Sequence, residues 1–137
     1  MAQASPSARK RPISPHLMDG ARLHWRWGPA MLSSILHRVS GVGATVGIFL
    51  LLWWLGALVS GPAAYATFHG LASAWYGKVV LVGVSWAVIA HTITGIRHFV
   101  LDIGAGYELG QNNLWATVST LLGFVLTAAF WAALLLR

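Results

Sequence analysis

The chain reads as an all-α membrane protein with three transmembrane helices, and three observations predict that class. Only 9% of its 137 residues are charged and 57% are hydrophobic, whereas an average soluble domain is about a quarter charged. Residues 39–77, 79–96 and 109–136 carry no Asp, Glu, Lys or Arg, and roughly 20 apolar residues carry a helix across a bilayer. The basic residues are also segregated along the chain, as they are in proteins with a fixed orientation in a membrane.

Residues 1–28 form a basic arm. Arg9, Lys10, Arg11, Arg22, Arg26 and Arg38 all come before the first uncharged run. The arm lacks the apolar core of a secretory signal, is short for a mitochondrial transit peptide, and leaves no room for a soluble catalytic domain. The first helix is expected near 30–58. It ends at "SGPAAYATFHG" (60–70), where Ser, Gly, Pro and His cluster as in a loop. The second helix is expected near 72–98 and the third near 114–136, so that 29–137 forms a single three-helix anchor.

Lys and Arg accumulate on the cytoplasmic side, which puts the N-terminus inside and the C-terminus outside. Seven of the nine basic residues, the six above and Arg97, then lie inside, against Lys78 and Arg137 outside. Trp25 and Trp27 suit an inner aromatic belt, Trp75 and Tyr76 an outer one. The net charge of +6 is therefore a topology signal first, and a site for anionic lipid or a protein partner second. There is no cysteine, which excludes disulfides, thiolate-held iron–sulfur clusters and covalently attached haem.

Ionisable groups inside a bilayer are costly and mark function by default. In the first helix "SSILHRVSG" puts Ser33, Ser34, His37 and Arg38 at the inner end; in the second, "HTITGIRHFVLD" holds His91 in the uncharged core and Arg97–His98 at its inner end. An antiparallel hairpin would bring His37, Arg38, Arg97 and His98 into one layer. His91 lies seven residues deeper than His98, about 10 Å along the axis and on nearly the same face.

A buried imidazole there can hydrogen-bond between helices, relay protons or bind a metal. Haem suits the layout best: an axial His within the apolar bundle, Arg side chains at the boundary for the anionic propionates, and Gly95 leaving space for a flat macrocycle. Without cysteine it would be b-type. One deep histidine per chain means that a second axial imidazole comes from another polypeptide. Competing readings are a proton-relay or transport bundle using His91 and His98 without haem, and a purely structural assembly subunit. Gly43 and Gly47, a small-xxx-small pair, point to close helix packing. His16, His24 and His69 read as solvated.

The pieces "RPISPHL" (11–17), "SSILHRVSG" (33–41) and "HTITGIRHFVLDIG" (91–104) occur in order. With them the sequence resembles the cytochrome b membrane-anchor subunit of succinate dehydrogenase, respiratory complex II, over about residues 11–104. The resemblance implies a haem b- and ubiquinone-binding anchor that has no activity alone. It would dock a flavoprotein subunit and an iron–sulfur subunit, pack with a second anchor subunit, and pass electrons from succinate to ubiquinone. It implies His91 as an axial iron ligand, with the other axial His on the second anchor subunit. It implies His37, Arg38 and His98 near the haem propionates, and Ser34, Arg38, Trp27 and Ile35 at the quinone. Asp102 is left between Arg97 and a docked subunit as partner. Leu101, where the family usually has an aromatic residue, and "MDGARLHWRW" (18–27) depart from the pattern. A bacterial cytoplasmic membrane is favoured over the mitochondrial inner membrane.

Overall fold

The computed structural model describes residues 18, 19, 22, 23 and 27–136. Four helices account for nearly all of them: α1 Pro29–Ser60, α2 Pro62–Ser73, α3 Trp75–Asp102 and α4 Leu109–Leu135. Ahead of α1, two-residue strands β1 (Met18–Asp19) and β2 (Arg22–Leu23) pair antiparallel. The "RPISPHL" motif, His16, His24, the tail cations Arg9, Lys10, Arg11 and Arg26, Trp25 and Arg137 lie outside the described residues.

Helices α1, α3 and α4, of 32, 28 and 27 residues, are long and apolar enough to cross a membrane, as expected. The segment read as a loop is instead α2. Its Ser, Gly and Pro mark a joint: Gly61 takes a φ of 102°, ending α1, and Pro62 restarts the chain as the first helical residue. Proline is suited to that position because it has no N–H to leave unpaired, and Ala63, Ala64 and Ala66 favour the helix that follows. Helix α3 runs four residues past its expected end, to Asp102, and Arg97 and His98 are helical as expected. Gly104, at φ 84°, closes that end, its N–H bonded to the Leu101 carbonyl at 2.8 Å. Helix α4 starts five residues early and includes Gln111 and Asn112.

Helix α3 packs against both α1 and α4. The buried positions are small: Ala57, Ala87, Ala90, Ala116 and Gly123, with Ser33, Ser40, Thr94, Ser119 and Thr127. Between helices in lipid there is no hydrophobic gain to be had, so association relies on close approach and hydrogen bonds, which small residues allow. A Cβ at Gly43 would stand 2.8 Å from the Ala87 Cβ, one at Gly47 2.6 Å from Val84 Cγ1, and one at Gly123 3.0 Å from the Ala90 Cβ. The large side chains face outward. In its most apolar stretch only 6% of α1 is buried, against 17% of α3 and α4, so among the described residues α1 is the least covered of the three.

The α1–α3 contact yields a paired prediction. Ala87 has no rotamer with which to yield, so Gly43→Ala must push the helices apart and costs about 1–3 kcal/mol. Gly56 has open space around it, and Gly56→Ala gains about 0.5–1 kcal/mol of helix propensity. Denaturant titrations in detergent micelles read the two changes with opposite signs; a Gly43→Ala variant as stable as the parent would refute the close approach.

Candidate haem and quinone site

The inner layer is built where the first half of α1 crosses the second half of α3. On α3 a helical turn of 3.6 residues brings Val84, Ala87, His91 and His98 round to the side that meets α1. Gly41 faces His91: a Cβ there would lie 3.0 Å from Cε1 and 3.3 Å from Nδ1 of the imidazole. The missing side chain lets the ring lie against the α1 backbone.

That approach determines the chemistry of His91. Its Nδ1 is 3.0 Å from the His37 carbonyl oxygen, which can only accept, so Nδ1 carries the hydrogen and donates. A neutral imidazole has one N–H, so Nε2 keeps its lone pair. Ser40 Oγ donates to the same carbonyl at 2.9 Å and stands 3.4 Å from Nδ1. Ser40 is fully buried.

His37 is held from the opposite helix. Thr94 Oγ1 gives its proton to the Ala90 carbonyl at 2.7 Å and so accepts from His37 Nδ1–H, also at 2.7 Å. The His37 and His91 rings lie face to face, centroids 4.0 Å apart and 6° from parallel. His98 meets His37 at 4.7 Å and 51°. His37 thus meets His98, as expected, and also fills the interval of about 10 Å that seven helical residues leave between His91 and His98, so His91 is not solitary.

Arg97 departs from the expected cluster. It lies about a third of a turn round α3 from His91, on the side of Ala90 that meets Gly123 of α4, and its Nη2 donates to Asn112 Oδ1. Arg97 therefore engages α4, and Asp102 is exposed at the end of α3. Gly95 looks onto His37, whose Cε1 would be 3.8 Å from an added Cβ; this is ordinary contact, so the position tolerates a methyl group.

The quinone candidates occupy a different face of α1. Ser34 and Arg38 are four residues apart and share a face, turned roughly 60° and 100° from His37. Ser34 and Ile35 are half-buried and Arg38 is exposed; Trp27, ahead of the helix, is 64% exposed. They line neither the cavity between α3 and α4 nor that among α1, α2 and α3, and their face opens away from the bundle.

A family model described as succinate dehydrogenase/fumarate reductase transmembrane subunit matches residues 7–130. The chain belongs to that family. It is 38% identical over 101 residues to the succinate dehydrogenase cytochrome b556 subunit of Paracoccus denitrificans, covering 74% of each chain. It is 34% identical over 122 residues to the subunit of the same name from Rickettsia felis, covering 89% of this chain and 91% of that one. Similarity reaches the mitochondrial cytochrome b560 subunit of Sus scrofa, 29% over 126 residues. Family membership and the three apolar helices make the chain a multi-pass membrane protein.

Sequence reasoning missed Ser40, Gly41 and Thr94 as site residues. Two were within reach: Ser40–Gly41 closes the "SSILHRVSG" piece, and a glycine opposite a buried His signals close approach. Thr94 is expected to matter measurably. Thr94→Val strands the His37 Nδ1–H and costs about 0.6–1.7 kcal/mol, the range of interhelical hydrogen bonds in membranes. Thr92→Val, at an exposed position, stays within about 0.5 kcal/mol. Micelle unfolding compares them, and equal effects would dismiss the Thr94–His37 bond.

Proposed function

We propose that this chain is the haem b- and ubiquinone-binding membrane anchor of a succinate:ubiquinone oxidoreductase. The observation that carries the reading is the His91 imidazole, whose Nδ1–H is committed to the His37 carbonyl at 3.0 Å. Histidines that bind metals almost always donate the other ring N–H to a carbonyl or carboxylate, which fixes the tautomer and raises the basicity of the ligating nitrogen. Here that leaves Nε2 as the ligand. The names of the relatives from Paracoccus denitrificans and Rickettsia felis, cytochrome b556 subunits, agree with haem.

A b-type haem would supply a one-electron carrier beside the quinone. His91 would hold its iron. Within the cluster His91 is the residue that would hold the iron, since His37 lies flat on His91 and His98 packs against His37. A further imidazole for the iron would come from a second anchor subunit, which would pack on the exposed face of α1. Arg38 and His98 would serve the propionates as donors, joined by His37 only in its protonated form, since its one neutral N–H, on Nδ1, already goes to Thr94.

Ubiquinone is the substrate, an apolar tail with two carbonyl acceptors. Ser34 offers a hydroxyl donor and Arg38 a cationic one on the same face. Arg38 stabilises negative charge on the quinone oxygen as electrons arrive, and Ile35 and Trp27 bound the ring. An exposed Arg38 suits a pocket that docked subunits complete. Electrons would come from succinate by way of a flavoprotein and an iron–sulfur subunit docked on the cytoplasmic side, where the basic arm 1–28 lies. The chain itself brings no flavin or succinate site. In this reading the N-terminus is inside and the C-terminus outside, as the basic-residue pattern favours, and the bacterial relatives suit a bacterial cytoplasmic membrane.

A proton relay along His91, His37 and His98 fares worse. It needs N–H···N hydrogen bonds between rings, whereas His91 and His37 meet face to face with each Nδ1 bonded to an oxygen.

The reading separates two variants. In complexes purified through a tag on this chain, His91→Ala should lose the reduced-minus-oxidised b-type absorption band with the partner subunits retained. Arg38→Ala should keep the band and lose about 100-fold in succinate-driven quinone reduction, the scale of removing one stabilising donor. Full haem content in the His91 variant would reject the ligand assignment, and undiminished turnover in the Arg38 variant the quinone assignment.

A further inference from the structure

Arg97 is the group that the haem and quinone reading leaves over. Its Nη2 donates to Asn112 Oδ1, while its Nε is buried with no partner. Guanidinium is permanently charged and has five N–H donors, and one neutral amide oxygen answers neither the charge nor the donors. Asp102 and Glu108, the nearest acids along the chain, are exposed and do not line the space beside Arg97.

That space is a cavity of about 390 Å³ between α3 and α4, within the range of roughly 300–1,000 Å³ for small-ligand sites. It is amphipathic along its length. Arg97, Gln111 and Asn112 lie at the end near the α3–α4 connection, while Ile93, Val118 and Leu122 form the end toward the membrane centre. From Asn112 to Leu122 is about 15 Å of helix. Val118 and Leu122 remain 43% and 40% exposed, so the cavity opens sideways to the bilayer.

We propose that this cavity binds an anionic glycerophospholipid, with Arg97 on the phosphate and one acyl chain along Val118 and Leu122. Charge complementarity selects the headgroup: a half-buried cation whose Nε is cut off from solvent without a partner needs an anion, which a neutral quinone does not supply. The apolar length selects a lipid over a free anion. Basic pockets between membrane helices on the cytoplasmic side recognise anionic headgroups in this way. The site is independent of the haem reading, because Arg97 faces α4 while His91 faces α1.

The test uses the full chain with its co-purifying subunits, delipidated in mild detergent. It is incubated with equal amounts of phosphatidylglycerol and phosphatidylcholine and weighed by native mass spectrometry. The parent should retain phosphatidylglycerol in preference by about tenfold, the scale of a charge-assisted pair. Arg97→Gln should abolish the preference and Arg97→Lys keep most of it. Leu122→Trp, which fills the apolar end, should lower retention of both lipids. Lys78→Gln, at the other end of α3, should behave as the parent. Should Arg97→Gln fail to assemble, Arg97→Lys and Leu122→Trp still decide. A parent without preference, a preference that survives Arg97→Gln, undiminished retention in Leu122→Trp, or a quinone held in the lipid's place would each overturn the proposal.

Discussion

The close approach of α1 and α3 is the constraint on which the rest of the structure depends. In hydrocarbon, polar groups find partners within the protein or not at all, and His91 finds its partner in the backbone of another helix. The 3.0 Å bond from Nδ1 to the His37 carbonyl exists only because Gly41 has no side chain in the way, and because Gly43 and Gly47 let Ala87 and Val84 close the helices together. The same approach lets Thr94 reach across to His37. Packing, tautomer and ligand availability are thus one arrangement, and loosening the seam would disturb all three.

Much of this was legible in the chain. The uncharged runs located all three spans, because charge is too costly within a bilayer to be scattered there. The seven-residue interval of His91 and His98 foretold their common face. Helix α2 was not legible: its Gly61 and Pro62 look like loop punctuation, and what they do is end one helix and start another. Arg97 was misjudged for a geometric reason. It adjoins His98 in sequence, but one residue is about 100° of helix, enough to send the guanidinium to Asn112 of α4. The part played by Ser40 and Thr94 was hidden because hydroxyls in membrane helices usually bond their own backbone, as Thr92 does with Val88. Which of them also serves a neighbouring helix depends on crossing geometry.

The two candidate sites differ in how far this chain completes them. The His91 arrangement is finished internally: orienting carbonyl, supporting hydroxyl and close-packed glycine all come from α1. The quinone candidates Ser34, Ile35 and Arg38 share a face that the described helices cover only in part, with Ser34 and Ile35 half-buried and Arg38 exposed. A division of that kind suits a family whose members are subunits, one side of the site rigid and prebuilt, the other completed on assembly.

The most direct test of the account is the protonation state of His91. Solid-state ¹⁵N NMR of the full chain in bilayers, labelled at histidine, prepared without haem and assigned by comparison with His91→Gln, reads the two ring nitrogens separately. The account predicts a hydrogen on Nδ1 and a bare Nε2. A hydrogen on Nε2 with Nδ1 bare would mean that the His37 carbonyl does not hold the ring, and would remove the basis for His91 as a preset iron ligand.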